Sequence, residues 1–457
     1  MNATQSIFAA KALLGARWAH DVRVSVSEGR IARIEERSAA KSGDMRVDAL
    51  LPALSNLHSH TFQRAMAGMT EHRVAGRESF WTWRETMYRF LEHLTPEHIE
   101  AIAAQVFAEM QEAGFAAVGE FHYVHHQKGG APYGKLSELS QRIMAAARET
   151  GIGLTHLPVL YSYGGAGEQP LAGGQLRFGN SVERFGRLLE ECRSAAKTLP
   201  DDSVVGMAPH SLRATSPHDL QQTLKLSGNS PIHIHVAEQP KEVADIQHWL
   251  GARPVEWLLA NTPIGKTWCC IHATHMNAEE TKSLAASGAV AGLCPITEAN
   301  LGDGPFNGPQ WIVAKGLFGI GSDSNVRISL TEELRTLEYS QRLRDLSRNV
   351  LVPEQGSVGA FLYTEAVKGG AQALGRDAGV IAEGKLADLV AIDSQHVSLC
   401  GLKDEQLLDG LCFSANDNVI TDVWSAGRHQ VKDGRHVARD KIAARYRKAL
   451  KELAGAL

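Results

Sequence analysis

A chain of 457 residues is too long for one hydrophobic core, so two structural units are expected. Its 44% hydrophobic and 21% charged residues are ordinary for a globular protein, and a formal net charge of −4 without long single-sign runs argues against nucleic acid or an anionic membrane as partner. No stretch approaches the roughly 20 apolar residues of a membrane span, and the N-terminus lacks a signal-peptide pattern.

Residues 1–50 read as short alternating strands. In "WAHDVRVSVSEGRIARIEER" two of them flank a turn at Glu28-Gly29. From residue 51 a different rhythm takes over. Eight apolar runs appear at 49–60, 115–124, 151–161, 203–212, 230–239, 267–275, 288–297 and 317–325. Each is nearly continuous, as expected for parallel strands covered on both faces. Helices with recognisable starts separate them. Thr95 can cap a helix with Pro96 at its first position and Gly114 beyond its end, Ser216-Pro217 begins another, and Asn277 and Glu280 have capping-box spacing.

This alternation predicts an α/β fold, a (β/α)8 TIM barrel over residues 51–384, with a doubly wound open sheet as the alternative. Residues 385–457 return to strand–turn–strand, with Asp433-Gly434 as a hairpin signal, and end in an amphipathic helix. Neither flank can bury a core alone. Together they predict one small β-sandwich domain built from both chain termini. The six cysteines show no CxxC pair or disulfide-like spacing, which fits a reducing cytoplasm.

In such a barrel, chemistry sits at the C-terminal ends of the strands. Those ends supply His58 and His60, His122 and Tyr123, His210 with Arg213, His233 with His235 and Glu238, His272 with His275, and Asp323. Residues two apart on a strand face the same side, so His58 and His60 can converge on a divalent ion. Either His233 or His235 could join them. Three imidazoles and one carboxylate would leave a position for water, the mark of a catalytic site. Glu238 could carry a proton from water to a leaving nitrogen, or simply be a carboxylate at a helix start. His272 could activate the water, a role for which His275 competes. His122, His125, His126 and His156 read as structural.

The HxH at 58–60, "HVAE" at 235–238, "HATH" at 272–275 and "SDS" at 322–324 together resemble the amidohydrolase superfamily, in its mononuclear deaminase branch. "EGKLADLVAID" and "GRHQVKDGRHV" are similar to that superfamily's C-terminal β segment. The resemblance implies His58, His60, His235 and Asp323 as ligands of one Zn2+ per subunit, or of iron. It also implies Glu238 as proton shuttle and His272 as the water-activating histidine, with Asp323 assisting. "MAPHSLR" offers no lysine at the fourth strand, so a binuclear site built on a carboxylated lysine is not expected.

Substrate choice rests on Gln63, Arg84, Tyr123, His210 and Arg213, all placed to reach the mouth. Two guanidiniums, a tyrosine and an amide suit carboxylates, which arginine binds bidentately. A small dicarboxylate with a hydrolysable C=N group fits better than a nucleobase. Arg84 could instead be solvated, with Arg89, on the outer face of the helix in "WTWRETMYRF". "NLHSHTFQRAMAGMTE", "FWTWRETMY", "GEFHYVHH" and "APHSLRA" resemble the formimidoylglutamate deiminase family. That resemblance implies hydrolysis of N-formimino-L-glutamate to N-formyl-L-glutamate and ammonia in histidine degradation, the five residues holding the glutamyl part. Rival expectations are an aminohydrolase of guanine, a pterin or an adenosine derivative, and a metal-binding barrel without turnover. A homodimer is the expected assembly.

Overall fold

A computed structural model describes residues 5–72 and 80–455, with the side chains of residues 80–82 left aside. The N-terminal strands are β1 (Gln5–Leu14), β2 (Arg17–Ser27), β3 (Arg30–Glu35) and β4 (Met45–Pro52). Glu28 and Gly29 both take left-handed backbone (φ 50° and 77°), which gives the β2–β3 turn the twist a two-residue hairpin needs. Along β2 the buried residues Ala19, Val22, Val24 and Val26 mark one face, and charged residues mark the other.

The central segment contributes β5 (Leu54–Ser59), β6 (Phe115–His122), β7 (Gly153–Leu160), β8 (Val204–Val205) and β9 (Ala208–Pro209). It continues with β10 (Ile232–Val236), β11 (Trp268–His272), β12 (Val290–Leu293) and β13 (Leu317–Ile320). Every residue of β5, β6, β7, β10, β11 and β12 is buried, because helices cover one face and neighbouring strands the other. The predicted helix starts are in place. Thr95 caps Pro96–Glu112, Ser216 caps Pro217–Leu224, and Asn277 with Glu280 forms a capping box on Ala278–Ser287.

After the central segment come β14 (Leu389–Ile392), β15 (Ile420–Ser425), β16 (Arg428–Lys432) and β17 (Arg435–His436). The β16–β17 turn is Asp433-Gly434, as the sequence suggests (φ 50° and 72°). The chain termini meet where β4 pairs antiparallel with β14, Leu51 opposite Val390. Pairing then runs unbroken through β17-β16-β15-β14-β4-β1-β2-β3. The predicted sandwich is therefore one continuous eight-stranded sheet around a core that includes Ile7, Val24, Leu50, Leu389 and Trp424. The final helix, Arg439–Ala454, lies against the central helices instead, its Glu452 bonded to His98 and its Arg445 to Glu149.

The central strands form two parallel sheets, β5-β6-β7-β8 with β9 on β7, and β10-β11-β12-β13. Single bridges join their edges, where the sequence predicts one closed barrel. At one seam Met207 N donates to Pro231 O and His233 N to Met207 O, at 3.0 and 3.1 Å. At the other, Asp323 N donates to His58 O and His60 N to Asp323 O, both at 2.9 Å. This second approach requires a glycine. A Cβ on Gly321 would lie 2.7 Å from His58 Cβ and 2.8 Å from its backbone N and O. A buried ion network ties the sheets to the flank, with Arg376 bonded to Asp388 and Asp202, and Asp202 also to Arg428. Among the described residues, no helix is long and apolar enough to cross a membrane.

Gly321→Ala should therefore lower unfolding stability by about 1–3 kcal/mol, since His58 backbone cannot yield. Gly186→Ala, in the helix Val182–Ala196 with only ordinary contact at 3.6 Å, should be neutral or stabilising. Denaturant midpoints at constant m-value test the pair.

Candidate active site

β5 carries His58 near its end and is followed directly by His60, and the second seam brings Asp323 against both. His60 Nε2 lies 3.3 Å and His58 Nε2 3.5 Å from Asp323 Oδ1. From the other sheet, His235 places Nε2 3.1 Å from His58 Nε2. Backbone carbonyls choose the tautomers. His60 Nδ1 donates to Phe121 O at 2.8 Å and His235 Nδ1 to His210 O at 3.1 Å, so each Nε2 keeps its lone pair. Burial lowers the pKa values of all three imidazoles, that of His58 to about 3, keeping them neutral. Burial alone would raise Asp323, but its bond to His58 and the surrounding imidazoles hold it well below the usual carboxylate range.

The Nε2 atoms of His58 and His235, 3.1 Å apart, are an arrangement that a proton or a cation between them would satisfy. The three buried imidazoles have ligand nitrogens within 4.8 Å of one another, and with the ionised Asp323 Oδ1 beside His58 and His60 they fit a divalent cation of the zinc type. His233, the alternative on the same strand, turns away to Ala373 O at 2.8 Å.

Beside this cluster His272 Nε2 sits 3.7 Å from Glu238 Oε1 and 3.8 Å from Asp323 Oδ2, while Nδ1 donates to Glu298 Oε1 at 3.2 Å. Burial disfavours its charged form, yet Glu238, Glu298 and Asp323 outweigh burial and raise its pKa to about 10. His275 instead bonds Asp303 O at 2.8 Å. Ala237, His272, Ala273 and Asp323 all take left-handed backbone (φ 53°, 68°, 48° and 46°), a concentration of strain at the strand ends.

The five residues singled out for substrate line the same pocket. Gln63 Nε2 donates to Tyr123 Oη at 2.6 Å, and Arg213 Nη2 pairs with Glu238 Oε2 at 3.1 Å. The His210 ring stands edge-on to Tyr161, centroids 4.6 Å apart. Arg84 faces inward, with Nη2 on Tyr161 Oη at 3.0 Å and Nε on Tyr88 Oη, while Arg89 is exposed. Residues 73–79, which precede the helix Phe80–Leu91 that carries Arg84, lie outside the described residues.

The sequence did not single out several members. Met87 and Tyr88 follow Arg84 at helical spacing three and four, a signal that was available. Tyr161 directly follows β7, where the strand-end rule would have nominated it. Glu298 sits one turn into the helix after β12, and Phe178 arrives from a distant loop. Neither carried a local signal.

Isosteric substitutions separate the two histidines of β10. His235→Asn should reduce metal affinity about 10- to 100-fold or more, whereas His233→Asn should retain wild-type metal content. Metal per chain after dialysis against a weak chelator measures both.

Comparison with known proteins agrees with this geometry. The family described as "Amidohydrolase family" matches residues 49–429, and "Formimidoylglutamate deiminase HutF, N-terminal domain" matches residues 4–48. A formimidoylglutamate deiminase of Pseudomonas aeruginosa is 46% identical over 98% of this chain and 99% of its own length. The crystal structure of an amidohydrolase from Brucella melitensis superposes with a TM-score of 0.94 at 48% identity, covering 98% of this chain and all of that one. An adenosine deaminase from Xanthomonas campestris with bound zinc shares the fold, with TM-score 0.83 and 22% identity over 99% and 98% of the two chains. With a family match over most of its length and a relative nearly half identical from end to end, the chain belongs to the amidohydrolase family.

Proposed function

We propose that the chain is a metal-dependent deiminase that converts N-formimino-L-glutamate and water to N-formyl-L-glutamate and ammonia, a step of histidine degradation. One observation carries this reading. Arg84 and Arg213, with Gln63, Tyr123 and His210, share a single pocket with His60, His235 and Asp323. The pocket thus offers two guanidiniums, suited to two carboxylates, beside a site suited to hydrolysis. The 46% identity to a formimidoylglutamate deiminase over the whole chain supports the same substrate.

His58, His60, His235 and Asp323 would hold the metal, zinc or iron. When bound, such an ion supplies Lewis acidity and lowers the pKa of water to about 7. Asp323 Oδ2 takes the proton of the attacking water, while His272, held cationic and steadied by Glu298, stabilises the oxyanion that develops as the water adds. Glu238 relays that proton to the imino nitrogen as water adds to the C=N carbon. It then moves the proton of the new hydroxyl to the same nitrogen as the C–N bond breaks, so that ammonia leaves and the formyl carbonyl remains. Arg84, Arg213, Gln63, Tyr123 and His210 orient the glutamyl part, which brings the C=N carbon to the water and contributes by positioning.

The wider architecture follows the same reading. The hydrogen bonds at both seams support closure of the two sheets into one (β/α)8 barrel. The division into 1–50, 51–384 and 385–457 is supported by the β4–β14 pairing of the two flanks. Six unpaired cysteines support a cytoplasmic location. We place the enzyme as a homodimer on the general frequency of that assembly.

Ammonia release tests the substrate directly. N-formimino-L-glutamate should be turned over far faster than guanine, a pterin or adenosine, and the reverse order would overturn the reading. Glu238→Gln should keep its metal while kcat falls about 10²- to 10⁴-fold. Retained turnover in this variant would remove Glu238 from the proton transfer.

A further inference from the structure

Glu242 touches two groups on which the proposed chemistry turns. It holds the third position of the helix Pro240–Leu250 and is fully buried. A glutamate there ordinarily reaches back to the N–H of the capping residue, here Gln239. Glu242 reaches further. Its Oε1 accepts from the N–H of Ala237 at 3.0 Å, and its Oε2 accepts from the N–H of Glu238 at 3.1 Å. These amides lie just past the end of β10, where Ala237 takes the left-handed backbone (φ 53°) that an alanine adopts only under constraint. Oε2 is also 3.7 Å from Arg213 Nε, and Arg213 Nη2 pairs with Glu238 Oε2 at 3.1 Å. The contacts close a loop, from Glu242 to the Glu238 backbone, from the Glu238 carboxylate to Arg213, and from Arg213 back to Glu242.

We propose that Glu242 is a positioning residue that fixes the proton-transferring carboxylate of Glu238 and the carboxylate-binding guanidinium of Arg213 relative to one another. The inference rests on the proposed function for the roles of those two residues. A carboxylate serving only to cap the helix would engage the Gln239 amide, and it would need neither the Glu238 amide nor Arg213. A fully buried carboxylate is costly unless paired, and here its partners are the groups it positions.

Glu242→Gln keeps the shape and one acceptor oxygen. It removes the charge and sets an NH2 group against a backbone N–H. Zinc-loaded wild type and E242Q are to be compared on N-formimino-L-glutamate and on formamidine, which has no carboxylate, with rates expressed per bound zinc. The expected result is a kcat about 10- to 100-fold lower on both substrates, with KM raised only for the dicarboxylate. A purely structural residue would lower the amount of folded protein and leave kcat and KM per zinc at wild-type values, which would overturn the inference. Should E242Q fail to fold, Glu242→Asp, one methylene short of both amides with its charge retained, takes the same test. Crystal structures of the zinc-loaded forms give a reading independent of substrate. Displacement of the Glu238 carboxylate from Arg213 is expected, and unmoved side chains contradict it. A wild type that releases no ammonia from formimino-glutamate would defeat the proposed function instead, and the crystal comparison would still decide the role of Glu242.

Discussion

The approach of the turn after β13 to β5 is the constraint on which the site depends. Two backbone hydrogen bonds of 2.9 Å lock Asp323 between His58 and His60, and Gly321 leaves room for that contact where a methyl group would strike the His58 backbone. The opposite seam does comparable work, since His235 is held by hydrogen bonds from both its backbone N and its Nδ1 to His210 O. The candidate ligands therefore come from both parallel sheets and meet where the sheets are joined. Opening either seam would separate donors that no single sheet supplies.

Charge divides the mouth of this fold. On one side Glu238, Glu298 and Asp323 crowd around His272, and Asp303 nearby has its pKa raised to about 9 by burial and by Glu238. On the other side Arg84 lies among the hydroxyls of Tyr88 and Tyr161. Arg213 stands at the boundary, within reach of Glu238 and Glu242. Such a division suits a substrate whose reacting end is a cationic or polar amidine and whose other end is anionic. It also ties Arg213, a candidate carboxylate-binding group, directly to Glu238, the candidate proton-transferring group.

Much of this was legible in the sequence because strand alternation and strand-end placement are local rules. They put His58 and His60 on one side and predict the turns at Glu28-Gly29 and Asp433-Gly434. They could not choose between His233 and His235, since both share a face of β10. The choice depends on Ala373 O, a carbonyl 140 residues away. Arg84 was equally undecided, because an amphipathic helix does not reveal which face meets a pocket. Tyr161, a residue from another strand end, settles its direction. Glu298 and Phe178 reach the site only through tertiary folding. The family resemblance supplied the roles of Glu238 and His272, which spacing alone left open. The flank was foreseen as a sandwich, yet the parallel β1–β4 and antiparallel β4–β14 pairings make it one continuous sheet.

The most direct test of the account is a crystal structure of the metal-loaded protein with a non-hydrolysable dicarboxylate amidine analogue. The account predicts the two carboxylates on Arg84 and Arg213, with the amidine carbon beside Glu238, His272 and Asp323. An analogue bound with either carboxylate in solvent, or with its amidine remote from the His58–His60–His235–Asp323 cluster, would contradict it.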